Sequence, residues 1–441
     1  MANDHLGRRA VVAGGASLIA LAGLPARAAG RGRAFPSSFV WGAATAGHQV
    51  EGNNINSDVW VAEHTRPTVY AEPSGDAANS FDLWPVDLQL VKSLGLNSYR
   101  FSLEWARIET EPGVFSNAML DHYKRMVETC RKQDIRPIVT FNHFTTPAWF
   151  AARSGWLNPE APALFGRFCD RAARHLASAI DHAVTLNEPN LQGVLQDVLP
   201  AGLFAADKAM NEAAARKLGV ERFLPANALE QPDWATAQQH LREGHSLGRA
   251  AIKAVRSDLP VGVSLAVLDE QEAEPHSLQG AVRERLYGPW LRHVRGDDFL
   301  GVQNYERRLW GAKGTLPGPA DAKRTTLGSE VYPPSLAGAV RYCHSVAQTP
   351  ILVTEHGVGT DDDRIRAWLI PAALDELKKL MDEGVPVKGY CHWSLIDNFE
   401  WAFGYKIRYG LHSLDRQTFE RTPKPSALVY REYIRANRAA A

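Results

Sequence analysis

The sequence predicts a closed barrel of eight parallel strands alternating with helices, the (β/α)8 architecture. Short, nearly continuous apolar runs recur eight times, with stretches of helical periodicity between them. That is the pattern of a parallel sheet buried on both faces. The polar residues of these runs cluster at their C-terminal ends, and in a barrel that rim is where chemistry sits.

In chain order the strand candidates are Phe39–Thr45, Asn97–Glu104, Arg136–Asn142, His182–Glu188, Val261–Val267, Asp298–Tyr305, Pro350–Glu355 and Val387–Ser394. Apolar residues at helical spacing fill Trp84–Leu94, Leu120–Lys132, Ala163–Ala179, Trp234–Val255, Ser335–Val346, Arg364–Met381 and a closing Ser426–Ala436. Three connections are long: Leu191–Pro232, Asp269–Arg285 and the Gly- and Pro-rich Glu306–Pro334. Long loops in a compact domain are usually functional or disordered; on a barrel rim they would wall the cleft. Asp361-Asp362-Asp363 reads as a solvated helix start rather than a metal cluster, because Asp is favoured at helix N-termini. There is no second domain and no internal repeat.

The first 28 residues are set apart from the fold (1–28, with the barrel domain over 29–441). Arg8-Arg9 precede an apolar stretch from Ala10 to about Leu24, and Ala26-Arg27-Ala28 is a small-x-small cleavage site. This is the layout of an export signal, with twin arginines suggesting the folded-protein route and an ordinary secretory signal as the alternative. The run is too short and too broken by Gly and Ser for a membrane span. The mature chain is therefore expected to be exported, periplasmic or secreted.

Composition narrows the partners. Lys and Arg balance Asp and Glu at zero formal net charge, which gives no ground for nucleic acid or an anionic membrane as partner. The four cysteines, Cys130, Cys169, Cys343 and Cys391, are scattered, form no CxxC pair and read as reduced, buried thiols. No metal-ligand spacing and no phosphate-binding loop is present, so no metal or cofactor is expected. Oligomeric state is not legible.

Two runs carry the chemistry. Ala183–Asn190 reads AVTLNEPN: the strand stops at Pro189, which has no N–H for a ladder, and leaves Glu188 at its rim. Alone, that Glu could equally be a buried, hydrogen-bonded cap. Pro350–Gly357, PILVTEHG, repeats the arrangement with Glu355. Two strand-terminal carboxylates facing one cleft are the minimal equipment for cleaving a glycosidic bond: one donates a proton, the other attacks or guides water.

At this level of detail the chain resembles glycoside hydrolase family 1, the β-glucosidase and β-galactosidase family, from Phe35 to about Asp415. The motifs are FPSSFVWGAATAGHQVEG (Phe35–Gly52), SYRFSLEWARIETEPG (Ser98–Gly113), TLNEPN (Thr185–Asn190), VTEHG (Val353–Gly357) and GYCHWSLIDNFEWAFGYKIRYGL (Gly389–Leu411). The resemblance implies Glu188 as acid/base and Glu355 as nucleophile, with Arg100 and Tyr305 hydrogen-bonding Glu355. It implies that Asn187 holds the sugar's 2-hydroxyl and that Gln49, His143, Trp393, Glu400 and Trp401 form the rest of the glycone pocket. The implied activity is a retaining exo-β-glycosidase acting on small β-glycosides, with β-glucosidase the first expectation; a transglycosylase on the same scaffold, or β-galactosidase or β-fucosidase specificity, are the alternatives. Glu400-Trp401 argue against a phospho-sugar enzyme, and the presence of Glu188 argues against a myrosinase. The chain departs from the family pattern at His356 (usually Asn), Phe144 (within the family's His-Trp-Asp-Leu-Pro), Gln303 (usually Asn) and Ser329 (usually Trp). These departures thin the aromatic wall beyond the glycone pocket and bear on the aglycone.

Overall fold

Eight strands close on themselves in the computed structural model, which describes residues 34–226 and 233–439. They are β1 (Val40–Ala44), β2 (Ser98–Ser102), β3 (Arg136–Asn142), β4 (His182–Asn187), β5 (Val261–Ala266), β6 (Phe299–Asn304), β7 (Ile351–His356) and β8 (Val387–Trp393). Each pairs in parallel with its sequence neighbours, and β8 pairs with β1 to shut the barrel. All eight fall where the apolar runs place them, within two residues at either end. The barrel unit begins at Phe35. The segment assigned to the export signal lies outside the described residues.

The two faces of each strand have different work. Along β2, Tyr99 and Phe101 join the large apolar cluster between strands and helices, while Ser98, Arg100 and Ser102 alternate with them. The opposite faces of β1, β3, β4, β7 and β8 contribute Val40, Ala44, Ile138, Val184, Leu352, Cys391 and Trp393 to a second, smaller cluster, against which Tyr305 and Tyr409 pack. Glycine permits the tight approach of neighbouring strands: a Cβ on Gly262 would lie 2.2 Å from the Phe299 carbonyl oxygen.

Eight outer helices follow in turn: α1 (Ser80–Ser93), α2 (Asn117–Lys132), α3 (Ala161–Leu176), α4 (Trp234–Val255), α5 (Gly288–His293), α6 (Ser335–Ala347), α7 (Asp363–Asp382) and α8 (Pro425–Asn437). Helix α1 starts at Ser80, four residues ahead of the expected Trp84, with Pro85 inside it. Helix α5 was not among the sequence expectations, because Gly288-Pro289 cut its run from the preceding helix Gln279–Leu286 and neither piece shows two full apolar turns. Asp362 accepts a hydrogen bond from the Arg364 amide and caps α7, as the Asp run predicts.

The expectation of three bare loops is corrected. Leu191–Leu195 and Ala201–Leu218 are helical; alanine fills so much of the second that no clear apolar stripe shows in the sequence, although alanine is the strongest helix former. The connections after β5 and β6 join in one small sheet. Asp269–Glu272 lies parallel to Arg307–Gly311, which turns back on Gly314–Leu316. These strands are too short for alternation to reveal them.

Candidate active site

The residues at the strand ends separate by alternation. Of Asn142-His143, His143 joins the cleft, while the Asn142 side chain donates to the Thr145 carbonyl and shapes its own loop. Of Asn304-Tyr305, Tyr305 reaches the cleft, while Asn304 donates to the carbonyls of Val267 and Glu306. His392 turns from the cleft to the Tyr390 hydroxyl, leaving Trp393 at the rim. Glu104 accepts from the His48 amide and from the side chains of Asn54 and Thr145, tying the loops after β1 and β3 together; burial pushes its carboxyl up to about 7.

The Glu355 carboxyl accepts three hydrogen bonds. Arg100 Nη1 donates to Oε1 at 2.5 Å, Gln303 Nε2 to the same oxygen at 2.9 Å, and the Tyr305 hydroxyl to Oε2 at 2.6 Å. The β7–β6 register slips between Val353 and Glu355, the kind of irregularity that re-aims a side chain beside an active site. Gly357 follows because the chain end runs against β8: a Cβ there would lie 2.1 Å from the Trp393 carbonyl oxygen.

Glu188 has a different environment. It sits one residue beyond β4 with φ of 45°, a left-handed conformation that costs a non-glycine residue on the order of 1 kcal/mol and concentrates at functional sites. Its amide donates to the Ser264 carbonyl at 2.8 Å. Asn190 then rejoins the sheet by its side chain, accepting from the Ala266 amide and donating to its carbonyl. The β4–β5 register also slips, between Val184 and Asn187. Among the described residues no hydrogen bond reaches the Glu188 carboxyl.

The two carboxyls differ for that reason. Burial, and then the charge of Glu355, push Glu188 well above the usual carboxylate range, with Arg100 opposing. Burial raises Glu355 too, but Arg100, Tyr305 and Gln303 all pull it down. Glu188 is therefore the group that keeps its proton to higher pH. The Tyr305 hydroxyl is pushed well up by burial and by Glu355, so it stays a donor.

The other expected residues surround this pair. Asn187 Oδ1 accepts from Arg100 Nη2 at 2.5 Å, and its Nδ2 lies 3.2 Å from His143 Nε2. Burial, then Arg100, hold His143 well below the ordinary histidine range, so it is neutral. Gln49 donates to the Phe399 carbonyl at 2.7 Å and to Glu400 at 3.3 Å. Burial, then the charge of Glu355, push Glu400 up to about 8, with the Gln49 hydrogen bond opposing. Trp393, His143, Trp401 and His48 form a file of near-parallel rings. Trp393 is buried and Trp401 half-buried.

Three residues belong to this site that the motif reading did not assign to it. Gln303 ties Glu355 to Asn187. Asn398 accepts from Gln49. Tyr409 packs on Tyr305, and the charges of Glu400, Glu306, Glu188 and Glu355 all act on its hydroxyl. Gln303 was legible in principle, because it lies two residues before Tyr305 on one strand face. Of the departures, Phe144 packs edge-on against Trp401, itself in the left-handed region like Phe144. His356 corrects the expectation that it bears on the aglycone: it faces away from the cleft, with Nδ1 3.0 Å from the Tyr390 hydroxyl.

A parallel barrel with a hydrogen-bonded carboxyl and a bare one at its strand ends has the paired carboxyls of the barrel glycosidases. Comparison with known proteins gives the particular family. Residues 31–228 and 311–439 match Glycosyl hydrolase family 1, and the chain belongs to that family. The crystal structure of a β-glycosidase shares 42% identity and a TM-score of 0.87, covering 92% of this chain and 98% of that one. The apo structure of a β-glucosidase shares 38% identity and a TM-score of 0.87, covering 90% of this chain and 98% of that one. Beta-glucosidase A of Thermotoga maritima is 28% identical over 91% of this chain and 98% of its own length. The chain is a glycoside hydrolase acting on O-glycosyl bonds.

Proposed function

We propose that the protein is a retaining exo-β-glycosidase with β-glucosidase activity on small β-glucosides. The observation that carries the reading is the asymmetry of the carboxyl pair: Glu355 is held by Arg100, Gln303 and Tyr305, while Glu188 has no hydrogen bond from the described residues. Glu355, ionised, attacks the anomeric carbon as Glu188 protonates the leaving oxygen. Glu188 then deprotonates water, which releases the sugar from Glu355 with its configuration kept. This role requires a carboxyl separation of about 5 Å. Asn187 binds the 2-hydroxyl, and Gln49, His143, Trp393, Glu400 and Trp401 bind the remaining faces of the glycone. The related β-glucosidases support glucose as the sugar.

The test is a panel of nitrophenyl β-glycosides, with NMR of the first-formed sugar. The β-glucoside should be cleaved and the β-anomer appear first. An α-anomer appearing first from a β-glucoside sinks the retaining mechanism, and a faster galactoside or fucoside replaces the glucosidase assignment. The activity profile should be bell-shaped. It rises with pH as Glu355 ionises and falls as Glu188 loses its proton.

Residues 1–28 are proposed to direct export, on the strength of Arg8-Arg9 and Ala26-Arg27-Ala28. N-terminal sequencing of protein from the native host should begin at or near Ala29; Met1 or Ala2 on active cytoplasmic protein refutes the proposal.

A further inference from the structure

Gln303 and Tyr305 leave the same face of β6, and Gln303 pairs in register with Glu355 on β7. Gln303 is 1% exposed. Its Nε2 has two hydrogens and two acceptors: Asn187 Oδ1 at 2.8 Å and Glu355 Oε1 at 2.9 Å. The opposite amide orientation would set an oxygen against both acceptors, so the assignment is unambiguous. Arg100 grips the same two oxygens with Nη2 and Nη1. Asn187 is thereby fixed with Oδ1 inward and Nδ2 towards neutral His143, which leaves one Nδ2 hydrogen for the substrate.

We propose that Gln303 is a positioning residue: it fixes the Asn187 amide for the sugar's 2-hydroxyl and holds Glu355 Oε1, and so sets how strongly turnover depends on that hydroxyl. The proposal rests on the glycosidase reading. The length of the side chain matters. Asparagine here would be one methylene shorter, about 1.5 Å, and could not span both acceptors.

The test uses the full-length protein with Gln303→Leu and Gln303→Asn, assayed on a nitrophenyl β-glucoside and its 2-deoxy counterpart. Gln303→Leu should lower kcat on the glucoside about 10- to 100-fold, the usual effect of removing an outer support, with KM little changed. The 2-deoxy substrate should lose less, so the preference for the 2-hydroxyl narrows. Gln303→Asn should shift the preference in the same direction. The acid limb should also move to higher pH, because a donor to ionised Glu355 is gone. The other groups acting on Glu355 or acted on by it are unchanged in the variants: Arg100 from β2, Glu188 after β4, Tyr305 after β6, Cys391 on β8, and Glu400 and Tyr409 beyond it.

Equal losses on both substrates with an unmoved acid limb in folded Gln303→Leu would mean a merely structural role and overturn the proposal. If Gln303→Leu does not fold, a Gln303→Asn enzyme matching the wild type in preference and acid limb overturns it. Carboxyl carbon-13 titration of Glu355 reads the second contact without turnover. A wild type inert to every aryl β-glycoside defeats the glycosidase reading, while an unshifted Glu355 titration in the variant defeats this one.

Discussion

The floor of the cleft and its wall are built in different ways. The floor residues Arg100, Asn187, Gln303 and Glu355 stand on barrel strands and are almost wholly buried. Each is held by partners from other strands or their following loops, as Arg100 on β2 is by Glu355 on β7 and Asn187 on β4. The wall after β5 and β6 hangs on its own three-stranded sheet. Arg307 makes a two-pronged ion pair with Glu330 and lies 3.7 Å over the Tyr332 ring. Ser329 closes a turn with Thr325. The floor is thus welded into the fold, whereas the wall is a separate module braced by its own side chains. Changes in the floor should act on the chemistry for every substrate, and changes in the wall on the choice of leaving group.

The largest effect should come from the floor. Glu355→Ala removes the proposed nucleophile, and kcat should fall at least ~10⁴-fold on all substrates, the scale of losing a covalent catalyst. A glycoside still cleaved at near wild-type rate by folded Glu355→Ala would remove this residue from the chemistry.

Glu188→Ala comes next and should depend on the leaving group. Poor leaving groups should lose about 10²- to 10⁴-fold, the range of general acid catalysis. Dinitrophenolate needs no proton and should leave with a much smaller loss. Azide should restore turnover by replacing the activated water, giving a β-glycosyl azide. A uniform loss that azide does not relieve would contradict the assignment.

Wall substitutions should be milder and of another kind. Arg307→Ala breaks the ion pair and the contact with Tyr332. We expect KM to change by less than about tenfold, by amounts that differ between aglycones, with stability lowered by ~1 kcal/mol, since such partly exposed pairs contribute little. The maximal rate at which the common glycosyl-enzyme is hydrolysed should stay unchanged. A fall in that rate shared by all substrates would erase the distinction between wall and floor.

The smallest expected effect is that of EDTA. Two carboxylates suffice for the chemistry, so activity should survive chelation. Complete loss, restored by a divalent cation, would refute the mechanism as stated.

What was legible in the sequence follows from periodicity and from the cost of burying charge. Eight apolar runs specified eight strands because a strand buried on both faces admits few polar residues before its end. Glu188 and Glu355 stood out because a carboxylate ending such a run is expensive without a use. The motifs also pointed to Arg100 and Tyr305, which the structure places on Glu355, and to the residues that surround the carboxyl pair. Periodicity did not decide which of two adjacent polar residues enters the cleft; the resemblance chose His143 over Asn142, Tyr305 over Asn304 and Trp393 over His392, and the tertiary structure supplies the physical reason. That choice turns on register, and a single slip reverses a side chain's face; the slips beneath Glu188 and Glu355 arise between strands far apart in sequence. The unequal proton affinities of the two carboxyls have the same origin. The resemblance had assigned Arg100 and Tyr305 to Glu355; the tertiary structure adds Gln303 and leaves Glu188 without a donor among the described residues, because Arg100 on β2 meets β7 only when the barrel closes, while Gln303 and Tyr305 reach it from the neighbouring β6.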